Sequence, residues 1–68
     1  MNAKEWIAAY AAELGADPPT LAEFATLLEL AGEAAHSSER VAAPVACWVA
    51  ARAGRSPEEA LEVARRIG

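Results

Sequence analysis

With one cysteine and one histidine in 68 residues, the chain cannot form an internal disulfide and lacks the ligands for a structural zinc site. A core this small must then be stabilised by regular helix packing or by self-association. Six basic against ten acidic side chains leave a net charge of −4, which argues against a nucleic-acid partner.

The predicted elements are all helical, and their ends are written in the sequence. Asn2–Glu5, Thr20–Glu23 and Ser56–Glu59 each place a side-chain acceptor three residues before a Glu, the pattern of a capping box. The first opens a helix over about residues 3–14, with Ala3, Ile7, Tyr10 and Leu14 on one stripe and Trp6 at its edge. Gly15 ends it, and Ala16-Asp17-Pro18-Pro19 makes a stiff connection.

The second helix is expected over 21–36, with Leu21, Phe24, Leu28, Ala31 and Ala35 facing the core. Glu29, Glu33 and His36 form a polar stripe on it. Leu27, Leu30 and Ala34 form a smaller apolar stripe, expected to lie open for a partner. The third helix is expected over 43–53, with Pro44 in its first turn and Gly54 as its stop. Its only charge is Arg52, so it should be central and covered, burying Trp48. The fourth, over 57–67, buries Ala60, Leu61, Ala64 and Ile67. Glu58 and Glu59 at its start and Arg65 and Arg66 at its end match its dipole. The whole predicts an all-α, compact four-helix bundle in a single domain, residues 1–68.

Residues 1–39 hold one Lys and seven acids, and residues 40–68 hold five Arg and three Glu. The longest apolar run, Val41 to Ala51, is too short to span a bilayer. That run, the lone thiol and the lack of a signal-peptide pattern fit a cytoplasmic protein with no membrane partner.

Little in the chain suggests catalysis. Cys47 sits among alanines beside Trp48, where a thiol packs as an inert hydrophobe. Ser37 and Ser38 follow His36 with no third group to complete a triad. No glycine-rich phosphate loop is present, and a chain this short is expected to lack a concave pocket. No cofactor is therefore expected. Glu33 and His36, at i and i+3, could supply one ligand pair to a carboxylate-bridged metal site, but only in a dimer joined across the second helix. The junction His36-Ser37-Ser38-Glu39-Arg40 reads two ways. His36, Glu39 and Arg40 either complement the two helix ends or form a polar recognition site.

The frame Trp6…Leu14-Gly15, Leu27-Leu28-x-Leu30-Ala31 and Ala35-His36-x-x-Glu39-Arg40-x-Ala42-Ala43-Pro44 carries a resemblance. It resembles a small all-helical actinobacterial domain of unknown function, which occurs alone or fused C-terminal to a molybdenum cofactor guanylyltransferase. The resemblance implies an accessory role near the synthesis of molybdopterin-guanine dinucleotide, with a protein of that pathway as partner. It supplies no catalytic residue. The expected function is non-enzymatic protein interaction through His36, Glu39, Arg40, Leu27, Leu30 and Ala34, with a homodimer as one form of it. A dimeric metal-binding bundle and a plain self-associating module are the alternatives.

Overall fold

A computed structural model describes Met1–Gly68 as four helices and no strands. They are α1 (Ala3–Leu14), α2 (Leu21–Ser37), α3 (Ala42–Arg52) and α4 (Pro57–Ile67). The expected boundaries hold to within one residue at every end.

All three capping boxes close in both directions. Asn2 Oδ1 accepts from the Glu5 N–H at 2.8 Å while Glu5 Oε1 accepts from the Asn2 N–H at 2.9 Å. Thr20 with Glu23 and Ser56 with Glu59 do the same. Besides the terminal Gly68 (φ 56°), two glycines end helices in the left-handed region, Gly15 at φ 75° and Gly54 at φ 73°. At each, a pair of backbone bonds satisfies the last carbonyls. Gly15 donates to Ala12 and Ala16 to Ala11; Gly54 donates to Ala51 and Arg55 to Ala50. This double closure is the Schellman motif, and a Cβ at either glycine would force a strained φ.

The start of α3 is different. Val41 precedes it with no side-chain cap, and the first turn is entered through Ala42 N–H to Glu39 O and Ala43 N–H to Arg40 O. That tighter turn begins the helix at Ala42.

Packing departs from the expected order. The central helix is α2, which lies against both α3 and α4, whereas α3 and α4 touch each other only sparsely. No Cα of α1 comes within 8 Å of a Cα in the other helices. Pro18 and Pro19 hold their own φ and push the residue before each toward extended backbone, which makes the link stiff. The radius of gyration is 12.2 Å, against about 11 Å expected for a chain of this length.

Only Ala11, Leu30 and Leu61 are buried. Leu30, expected on an open stripe with Leu27 and Ala34, is the most enclosed residue at 2% exposure, and Leu27 and Ala34 are half-buried. Helices α3 and α4, which pack closely on α2, cover this arc. The Leu27/Leu30/Ala34 stripe is therefore core, not a partner face. Of the arc expected to be core, Leu21 and Leu28 are exposed, while Phe24, Ala31 and Ala35 are half-buried. The apolar arc of α2, bounded by the polar stripe of Glu29, Glu33 and His36, is wider than one neighbour covers, so hydropathy alone gave it no single inner face.

Trp48 is likewise corrected: it is 61% exposed. Helix α3 is peripheral, and its all-round apolar character comes mainly from alanines rather than from being enclosed. On α1, Tyr10 and Leu14 are exposed and Ile7 and Ala11 turn inward.

Candidate interaction surface

Two apolar depressions flank α3. The first is a cleft of about 840 Å³ beneath α1. Ile7 forms its roof, Phe24, Leu27 and Leu28 one wall, and Cys47 and Ala50 part of its floor. Pro18 and Pro19, from the link between α1 and α2, also line it. Lys4 Nζ lies 5.8 Å from the Phe24 ring centroid, a cation–π contact joining α1 to α2. Asp17, Glu23 and Arg55 supply its charges. The volume is within the range of small-molecule pockets, so the expectation that so short a chain has no concave space is not met.

The second is a groove of about 550 Å³ between α3 and α4. Ala42, Ala46, Ala60 and Ala64 line it, with Val49 and Ile67 among its larger side chains. Arg55 is the one charged residue there. Ile67, expected in the core with Ala60, Leu61 and Ala64, is instead exposed along this groove. Leu61 alone turns into the core, while Val63, Ala64 and Ile67 extend the apolar arc beyond what α2 covers.

Three aromatic side chains, Trp6, Tyr10 and Trp48, are exposed. Trp6 and Tyr10, one turn apart on α1, stack with ring centroids 5.0 Å apart and planes 20° from parallel. Arg52 Cζ lies 5.1 Å from the Trp48 ring centroid.

The predicted polar junction is on the surface between α2 and α3. His36, Glu39 and Arg40 are all exposed, and none of their side chains hydrogen-bonds or ion-pairs within the chain. The closing of α2 falls to Ser38, whose Oγ donates to Ala34 O at 2.8 Å and whose N–H donates to the same carbonyl. Sequence reasoning passed over Ser38. A hydroxyl four residues after an alanine at a helix end was the available signal.

Cys47 is half-buried, and its Sγ lies 4.0 Å from Leu27 O. Desolvation pushes its thiol above the ordinary range, so little thiolate forms near neutrality. Glu33 is half-buried and His36 exposed, and no group of three or more His, Cys, Asp or Glu gathers where it could hold a metal ion. Glu29, the third member of the polar stripe, pairs with Arg65 across α2 and α4. No helix is long and apolar enough to cross a membrane.

Fold and surface together define a small all-α domain with three buried residues and twelve exposed large hydrophobic side chains. Its family is the domain of unknown function DUF6457, which matches residues 1–68, and the chain belongs to it. No curated protein and no solved structure matches the chain.

Proposed function

We propose that the chain is a non-enzymatic interaction domain whose cleft beneath α1 receives another protein. The observation that carries this reading is surplus surface. The accessible area is 5201 Å², while a folded monomer of 7.1 kDa is expected to expose about 4,100 Å². A surplus of roughly 1,100 Å², with Trp6, Tyr10, Leu28 and Trp48 among the exposed side chains, is what a domain lacking its partner would present. Aromatic anchors and Arg are the residue types that dominate interface energies.

The resemblance read from the sequence supports a partner among the proteins that assemble molybdopterin-guanine dinucleotide, the guanylyltransferase first. His36, Glu39 and Arg40, free of internal partners, would supply charge-assisted hydrogen bonds to it. The free Cys47 thiol supports a reducing, cytoplasmic setting.

Titration calorimetry of the chain against a molybdenum cofactor guanylyltransferase tests the proposal. Binding is expected, weakened at least about 30-fold by Leu28→Glu, because that exposed leucine lines the cleft and a charge there would be desolvated without a partner. Absence of heat with the unaltered chain would remove the guanylyltransferase. Unchanged affinity with Leu28→Glu would remove the cleft.

A further inference from the structure

We infer that the outward row of α3 is covered by α1 of a second copy of the chain, each copy lending its α1 to the other's α3 in a twofold dimer. None of the side chains concerned lines the cleft beneath α1, so the inference does not depend on the partner proposed for that cleft.

Val41, Val45, Trp48 and Arg52 recur at i, i+4, i+7 and i+11, the spacing of one helical stripe. All four are exposed, while Ala43, Ala46, Cys47 and Ala50 on the opposite side are half-buried. Arg52 Cζ already lies 5.1 Å from the Trp48 ring centroid, which holds the guanidinium on this row. On α1, Trp6, Tyr10 and Glu13 recur at i, i+4 and i+7 and are exposed too. The Trp6 and Tyr10 rings stack with centroids 5.0 Å apart and present one apolar plate. The chain does not bring its own rows together, since no Cα of α1 comes within 8 Å of α3.

The two rows carry opposite charge. Glu13 and Arg52 are both without an ion-pair partner in the chain. Helix α3 contains no acid, and the one Lys of α1 is turned to the Phe24 ring instead. The same asymmetry runs through the sequence: residues 1–39 hold seven acids and one Lys, and residues 40–68 five Arg and three Glu. Two copies meeting α1 to α1 would oppose acids, and α3 to α3 would oppose arginines. Only the α1-to-α3 contact pairs them.

The pattern also sets sense and register. Both rows run from apolar to charged in the N-to-C direction, so their charges meet when the helices are parallel. Trp6 to Glu13 and Val45 to Arg52 are each seven residues, a rise of about 10.5 Å. With carboxylate against guanidinium, the aromatic plate therefore falls on Val45 and Trp48. Each copy carries one row of each kind. A single contact would leave the other pair open and grow a filament, whereas reciprocal exchange uses both pairs and closes.

Sedimentation across micromolar to sub-millimolar concentration tests the dimer. The unaltered chain should move reversibly between 7.1 kDa and twice that mass. Acrylamide quenching of the tryptophans should fall over the same range. Glu13→Arg and Arg52→Glu should each raise the dissociation constant about 30-fold or more, because symmetry sets like charges together twice. An equimolar mixture of the two variants should dimerise as tightly as the unaltered chain, since both contacts are then between opposite charges. Both positions are exposed, so circular dichroism of each variant should match the unaltered chain. If either fails to fold, isotope-filtered NMR on mixed labelled and unlabelled unaltered chain decides. Contacts from the Trp6 and Tyr10 rings to the Val45 methyls of the other copy support the inference, and contacts confined to other faces overturn it. So would a chain that stays monomeric, an open polymer, or a mixture that associates no better than either variant alone.

Discussion

Arg65 Nη2 lies 3.3 Å from Glu29 Oε2, tying the last turn of α4 to the middle of α2. It is the one ion pair of the chain and joins two helices already held by Leu30 and Leu61. Both side chains are well exposed, so water screens the attraction and the pair contributes about 0–1 kcal/mol. The apolar contact beside it stabilises the fold more.

Removing either should separate the two effects. Arg65→Ala is expected to lower stability by less than about 1 kcal/mol. Leu30→Ala should cost about 2–5 kcal/mol, a large part of the roughly 3–10 kcal/mol available to a domain of this length. Urea midpoints at equal protein concentration provide the comparison. A Leu30→Ala loss as small as that of Arg65→Ala would place Leu30 outside the core.

Trp48→Ala should be mild despite the size of the side chain. What it loses is the Arg52 contact at 5.1 Å and partial burial on one side, together about 1 kcal/mol. A buried tryptophan would cost about 3–5 kcal/mol. Thermal melts followed by circular dichroism, run dilute enough to keep association out of the comparison, distinguish the two. Fluorescence agrees in principle: Trp6 and Trp48 are both exposed, so soluble quenchers should reach the whole emission.

The Ser56–Glu59 box should make stability depend on acid pH. The Ser56 backbone N–H, then its side chain, hold the Glu59 carboxyl below its usual value, with Arg55 adding a smaller attraction. A group whose folded pKa is lowered takes up its proton first in the unfolded chain. Its contribution is therefore complete above the unfolded carboxylate value and disappears as pH falls through the folded one. Glu59→Gln should consequently destabilise at neutral pH, and its difference from the unaltered chain should shrink toward zero in strong acid. A difference that stays constant across that range would refute the carboxylate's role in the cap.

Helix ends were legible in the sequence because they depend on a few adjacent residues. Asn2, Thr20 and Ser56 each met their Glu three positions on, and Gly15 and Gly54 took up the left-handed backbone that a Schellman closure requires. The polar junction was placed correctly at the surface for the same reason: it lies in the short stretch between two such ends. Which side of each helix turns inward was not legible. On α2, Leu28 and Leu30 are chemically identical and two positions apart, yet one is 62% exposed and the other 2%. The distinction arises from where α1, α3 and α4 come to rest. Helices α3 and α4 pack on α2 and no Cα of α1 comes within 8 Å of it, so the arc carrying Leu30 is enclosed and Leu28 is left exposed. Alanine-rich helices have apolar arcs wider than one neighbour can cover, so periodicity supplies several candidate faces with nearly equal claim. Only the three-dimensional arrangement of neighbours decides which of them is core and which is left for another chain.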